Sequence, residues 1–161
     1  MTVDNSIEIV GLKEVLKELN KLEPDLRKAF NRQFRELVAP IVNDAKTNIP
    51  TAPLSGFNRS WQKGRLGPWD QAAVKRSITS KVDTRRTAQS VMKITLKSAS
   101  GSVFDMAGRR TNNPLATQLG KFGSASRVMW AAYNRQRNAL ETNIQQLVKD
   151  LTEAVNQRLV R

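Results

Sequence analysis

The stretch at 90–97, "SVMKITLK", decides the class of fold, because it carries the cleanest strand pattern in the chain. Its apolar and polar residues alternate, which is the period of two that a half-buried strand requires. The apolar positions are Met92, Ile94 and Leu96, and the polar ones are Lys93, Thr95 and Lys97. Upstream, "VKRSITSKVD" also places its apolar residues on one parity, and "DTRRT" between the two segments is typical of a hairpin connection. Segments 74–82 and 90–97 therefore predict an antiparallel sheet.

Helical patterns lie on both sides of these strands. Leucines at helical spacing predict a short helix over 12–21, after a short strand at 7–10. Apolar residues predict a long helix over 24–48, which Pro40 should bend, and a second long helix over 131–159. The whole chain, 1–161, is expected to form a single domain of the α+β class, in which long N-terminal and C-terminal helices pack on a small antiparallel sheet.

Two segments between these elements are less regular. Residues 49–73 are rich in proline and glycine and predict an extended loop, which in a compact domain is usually functional or ordered by a partner. The string "SVFDMAG" predicts either a third short strand or one helical turn, ended by Gly108.

Composition excludes several classes of protein. The sequence has no cysteine and no histidine, so it offers no disulfide, no thiolate metal site and no histidine base. The sequence has no stretch of 18 apolar residues, so it predicts no membrane span. Its N-terminal residues lack the pattern of a signal peptide.

The net charge of +13 is concentrated in the middle of the chain. Residues 1–50 balance eight acids with eight bases, whereas 51–130 carry fourteen bases against three acids. A field of this size implies a polyanion, a membrane surface or an acidic protein as partner, the alternative being a basic surface that serves solubility alone.

Asp105 is the one candidate for a catalytic acid, because its apolar neighbours would raise the pKa of a carboxyl group. It has no second group with which to divide acid and base roles, and glycine-rich phosphate loops and nucleophile elbows are absent. The sequence therefore predicts no enzyme, cofactor or metal. Asp105 is instead expected to pair with Arg109, Arg110 or a base of a partner, or to cap a turn.

The loop at 49–73 interleaves bases with two tryptophans, Trp61 and Trp69. Single-strand nucleic-acid binders use this combination for stacking and phosphate contact. The alternative, which we favour, is that the aromatic rings anchor the loop on the domain or on a neighbouring subunit.

The order of elements resembles the neck or tail-completion family of long-tailed bacteriophages. That family runs from a long helix through a proline and a glycine loop to a strand that begins with a base, Ser and Ile. It then has an aromatic, an acid, an apolar residue and a glycine, followed by a final long helix. The matching positions are Lys46, Pro50, Leu54, Ser55, Gly56, Arg76, Ser77, Ile78, Phe104, Asp105, Met106 and Gly108, with Ala107 inserted.

The resemblance implies a structural protein that forms a homo-oligomeric ring at the head–tail junction of the virion. Such a ring assembles in the host cytoplasm, contacts neighbouring connector and tail proteins, lets genomic DNA pass without base readout, and involves no membrane. The alternative is a free basic nucleic-acid-binding protein.

The residues expected at subunit contacts are Trp61, Trp69, Phe104, Asp105, Gly108, Arg109 and Arg110. Those expected to face DNA, or an acidic neighbouring ring, are Arg59, Lys63, Arg65, Arg85 and Arg86, which lie in predicted loops or at the hairpin tip.

Overall fold

The computed structural model describes residues 6–10, 24–58, 68–82, 90–108 and 114–159. Its elements, in chain order, are β1 (Ser6–Val10), α1 (Pro24–Thr47), a 3-10 helix (Ser55–Asn58), α2 (Gln71–Ser77), β2 (Ile78–Val82), β3 (Ser90–Leu96), α3 (Ala99–Met106), α4 (Pro114–Gly120) and α5 (Met129–Leu159). The fold is α+β, with long helices towards both ends and a small antiparallel sheet, as the sequence predicts. The helix predicted at 12–21 lies outside the described residues.

The sheet has three strands in the order β1-β3-β2, and both pairings are antiparallel. Strand β3 is therefore central, which agrees with its strong alternation. One face of β2 and β3 is buried, and its residues are Ile78, Val82, Met92, Ile94 and Leu96. The other face carries polar side chains and meets solvent at Thr79 and Lys81.

Helix α1 begins with Pro24 and Asp25 and ends with Lys46 in its last turn. Proline needs no amide partner in a first turn, and the two charges have the signs that the helix dipole favours. The buried side of α1 recurs every three or four residues, at Phe30, Phe34, Val38, Ile41, Val42 and Ala45. Pro40 lies on the exposed side, and the helix continues past it to Thr47.

Helix α5 packs along α1, and polar contacts fix where the two helices meet. The Asn48 side chain, just after α1, donates to the Val128 carbonyl over 3.1 Å. Arg135, in the second turn of α5, donates to both carboxylate oxygens of Asp44 over 2.8 and 2.9 Å. The C-terminal end of α1 therefore lies at the N-terminal end of α5, and the buried residues of both helices share one core with the sheet.

The predicted strand over 74–82 is wrong in its first half, because residues 71–77 form helix α2. Asp70 caps this helix by accepting a hydrogen bond from the Ala73 amide over 3.0 Å. Val74, Ile78 and Val82 are spaced by four residues, a spacing that satisfies the period of two and nearly satisfies the helical period. The sequence pattern therefore does not separate the helix from the strand that follows it.

Candidate subunit-contact site

The string that carries the family resemblance lies on the short helix α3. The Ser98 hydroxyl caps the helix by accepting from the Gly101 amide over 3.1 Å, and Gly108 follows its C-terminal end with a φ of +93°. The helical alternative of the two sequence-based interpretations is confirmed, as is the break at Gly108. The chain leaves the helical conformation at Ala107, which is extended, and Gly108 continues the break with a positive φ that suits glycine.

Asp105 is completely buried on α3 and holds the segment that leads into α5. Its carboxylate accepts a hydrogen bond from the Val128 amide over 2.6 Å, and its carbonyl accepts from the Ser126 amide over 2.6 Å. Ser126 has a φ of +71°, a region that non-glycine residues rarely occupy, so this segment stores backbone strain that Asp105 helps to hold. Of the roles predicted for Asp105, capping is shown by the part of the chain that the structure describes.

Arg127 is a buried cation beside this acid. Its guanidinium donates to the carbonyls of Phe104 and Ala107, the latter over 3.0 Å, and its Nε donates to the Gly123 carbonyl over 3.2 Å. Burial lowers the pKa of the Arg127 guanidinium, and attraction to the charge of Asp105 opposes that shift. The predicted partners Arg109 and Arg110 lie outside the described residues.

Four aromatic rings run in series from the loop to the surface. Phe57, Trp69, Phe104 and Phe122 meet edge to face, with successive centroid distances of 5.7, 5.5 and 5.6 Å. The Arg127 guanidinium lies 5.3 Å from the centroid of Phe104, within the range of a cation–π contact. Through Phe104, the series connects the exposed ring of Phe122 to rings that are packed inside the domain.

The surface above this series carries two exposed aromatic side chains, Phe122 and Trp130, which are 39% and 40% exposed. Both line an open cleft of about 720 Å³, and Phe122 also lines a second cleft of about 710 Å³. Arg127, Arg135 and Lys121 line these clefts as well, and none of the described lining residues is acidic. We call the surface formed by Phe122, Trp130 and these two clefts the aromatic surface.

The described lining of the aromatic surface has a limited range of chemical groups. Its described lining residues provide arginines, amides and hydroxyls but no carboxylate, so they offer no pair of acid and base. Among the described residues, no group of three or more acidic, histidine or cysteine side chains could hold a metal ion. Within the same part of the chain, no helix is both long and apolar enough to cross a membrane.

The structure corrects two of the predicted contact residues, Phe104 and Asp105, whereas a subunit contact by the half-buried Trp69 stays a prediction. Phe104 and Asp105 are fully buried in their own chain, so they support the aromatic surface from below and cannot themselves form a subunit contact. Trp69 packs between Phe57 and Phe104, and its indole N–H donates to the Pro50 carbonyl over 3.1 Å. It therefore anchors the loop on its own domain, which is one of the two anchoring possibilities that the sequence suggests.

The other predicted site residues divide into two groups. Gly108 is exposed, and its role in a subunit contact stays a prediction. The remaining ones lie outside the described residues: Trp61, Arg109, Arg110, Arg59, Lys63, Arg65, Arg85 and Arg86.

Sequence reasoning missed Phe122 and Trp130 as contact candidates. Phe122 lies between Lys121 and Gly123 in a short segment bounded by two glycines, and an aromatic residue in such a segment is a signal of surface contact. Trp130 stands near the start of α5, where helical periodicity does not assign it to the buried face. Comparison of the chain with protein-family models, curated proteins and solved structures found no match.

Proposed function

We propose that this chain is a structural protein of the bacteriophage virion, which forms a ring at the neck between the capsid connector and the tail. The observation that carries the proposal is the aromatic surface, because it is built on the "VFDMAG" string, which supplies four of the positions that match the family. Phe104 and Asp105 of that string support Phe122 and the start of α5. The string thereby presents two aromatic side chains on a well-supported surface, the kind of anchor that dominates protein interfaces.

A ring requires a heterologous contact, in which one patch meets a different patch on the next subunit. The aromatic surface serves as one of these two patches in the proposal. Of the cations that line the clefts, Arg127 is buried against carbonyls and Arg135 is paired with Asp44, so the partner patch is expected to meet the two aromatic rings and the exposed Lys121. In this function the protein turns over no substrate and binds no cofactor.

Electron microscopy and mass photometry of the purified chain test the proposal. We expect closed rings, and we expect the double variant Phe122→Ala/Trp130→Ala to be mainly monomeric while keeping its helical circular dichroism. The matched control, Asn138→Ala/Gln145→Ala, changes two exposed residues of α5 away from the clefts and should still form rings. A chain that stays monomeric or dimeric at every concentration and binds duplex DNA would contradict the proposal and favour the free nucleic-acid-binding alternative.

A further inference from the structure

The solvent face of the sheet is a second surface that the aromatic surface does not explain. Residues on β2 and β3 that alternate with the buried ones point away from the core, and just after β3 the Lys97 amide donates to the Ser77 carbonyl over 3.2 Å. Besides Val91, the alternating positions are Thr79, Lys81, Lys93 and Thr95, and Lys97 follows at the same spacing. Thr79, Lys81 and Lys97 are exposed, and Lys93 and Thr95 are half-buried.

Two of these lysines face each other directly. Lys81 on β2 is the register partner of Lys93 on β3. Directly opposite residues have Cβ atoms roughly 5 Å apart, at which distance like charges destabilise a sheet. On the other side of Lys93, Glu8 of β1 occupies the register position, so that row has one acid to two bases. The row therefore carries more positive than negative charge, which favours an anion over β2 and β3.

The remaining side chains on this face match a phosphate backbone. The hydroxyls of Thr79 and Thr95 lie 3.4 Å apart in the next row, between the lysine pair and Lys97. Lysine ammonium and threonine hydroxyl groups are among the usual donors to phosphate oxygens, and such contacts carry no sequence information.

The same face is poor in apolar groups. Its alternating positions on β2, β3 and residue 97 carry three lysines, two threonines and one apolar residue, Val91, whereas a stable protein interface has an apolar core. The polar, cationic strip from Lys93 to Lys97 spans roughly 13 Å at the usual rise of a strand. That is long enough to follow several charges of a duplex.

We propose that the solvent face of the sheet, centred on Lys81, Lys93 and Lys97, binds the phosphate backbone of duplex DNA without base readout. This inference rests on the proposed function, because a passing duplex is the polyanion that a neck ring encounters. It assigns DNA contact to the strands themselves, in addition to the loop and hairpin-tip bases that the sequence suggests.

The test is a titration of the full chain with a short random-sequence duplex at salt concentrations between about 50 and 200 mM, followed by fluorescence anisotropy. The triple variant Lys81→Gln/Lys93→Gln/Lys97→Gln should flatten the plot of log affinity against log salt by about 0.9 for each phosphate that the protein no longer neutralises. The matched control, Lys28→Gln/Arg32→Gln/Lys149→Gln, removes the same charge from exposed bases elsewhere and should keep the parent slope. Thermal unfolding should show that the sheet variant is no less stable than the parent.

Three results would overturn the inference: no duplex binding by the parent at about 50 mM salt, an equal decrease of affinity in the two triple variants, or an unchanged slope in the sheet variant. Polyglutamate serves as the probe for an acidic protein partner, and a sheet variant that loses polyglutamate binding but keeps duplex binding also overturns the inference.

Mass photometry of the same samples separates the two proposals. Rings with unaltered DNA binding contradict only this inference, and sheet-dependent DNA binding without rings contradicts only the proposed function.

Discussion

The carboxylate of Asp105 accepts a hydrogen bond from the backbone amide of Val128 over 2.6 Å, across 23 residues of sequence. Through this bond a buried acid on the short helix α3 fixes the start of the long helix α5. Amides at the beginning of a helix have no partner within it, and an acid there also has the sign that the helix dipole favours. Asp105 therefore has a structural task that is complete within one chain.

Replacing Asp105 tests this assignment. Asp105→Asn keeps an oxygen for the Val128 amide but removes the charge that faces Arg127, and we expect it to lower the free energy of unfolding by about 1–3 kcal/mol. Asp105→Ala removes both interactions and should cost more. Urea denaturation measures both changes. Asp150→Asn, at an exposed acid of α5, is the control and should change stability by less than about 0.5 kcal/mol. An Asp105→Ala variant as stable as this control would refute the assignment.

Gly101 lies where the backbone of α3 comes close to buried side chains of α2 and β3. A Cβ atom at this position would stand 2.8 Å from Cγ1 of Val74 and 3.1 Å from Cδ1 of Leu96, both of them buried. We expect Gly101→Ala to destabilise the protein by about 1–2 kcal/mol, because overpacking outweighs the better helix propensity of alanine. Gly120→Ala is the matched control, since a Cβ atom there would meet no described atom within 4 Å, and it should be neutral or slightly stabilising. Thermal unfolding of the two variants side by side measures the difference.

The pair of Arg135 and Asp44 predicts a pH dependence. Hydrogen bonds and charge from Arg135 hold the pKa of the Asp44 carboxyl below its ordinary value. An acid whose folded pKa is depressed adds stability above its unfolded pKa of about 4, and that stability is lost as the pH falls through the folded value. Both side chains reach solvent, with 49% of Arg135 and 21% of Asp44 exposed, so we expect at most about 1 kcal/mol.

Arg135→Gln should therefore be less stable than the parent at neutral pH, and the difference should shrink below about pH 4. Denaturation curves at a series of pH values measure it. Lys28→Gln breaks the solvated pair with Asp25 and serves as control, for which no measurable change is expected. A difference between parent and Arg135→Gln that stayed constant down to about pH 2 would show that the hydrogen bond from Arg135 to Asn48, and not the titration of Asp44, accounts for the effect.

Substitution of Trp69 should mainly affect the stability of the single chain, and substitution of Trp130 should mainly affect self-association. Trp69 packs between two rings and donates to the Pro50 carbonyl, so Trp69→Ala should lower the free energy of unfolding by about 2–4 kcal/mol. Trp130 is 40% exposed and contacts Tyr133 edge to face, so Trp130→Ala should cost the single chain under about 1.5 kcal/mol. Its larger effect should be on self-association, measured by sedimentation. Equal destabilisation of the single chain by both changes would remove the distinction between the two roles.

The sequence is sufficient to predict the elements with a clear period. The alternation at β3 and the apolar spacing of α1 and α5 each match one period, because each of these elements buries a single face against the common core. The boundary between α2 and β2 is not predictable in the same way. A spacing of four residues from Val74 through Ile78 to Val82 fits both periods, and the capping by Asp70 becomes visible only once the helix is seen.

The candidate site is harder to predict for a different reason. Whether an aromatic or acidic residue is buried depends on which distant segments pack over it, and the ring series joins residues from Phe57 to Phe122. The sequence marks Asp105 as unusual, but its neighbours in the fold, Val128 and Arg127, lie more than twenty residues away. Local sequence indicates that such a residue is constrained, whereas the contacts that constrain it are set by the fold.

The strand order β1-β3-β2 also has a kinetic consequence. Ile9 and its partner Met92 are 83 residues apart, whereas Val82 and Met92 are 10 apart. Closing the longer loop involves about three further doublings of length and so costs about 2 kcal/mol more entropy. The hairpin of β2 and β3 is therefore expected to form first, and β1, although synthesised before any other element described, can pair only after that hairpin has left the ribosome.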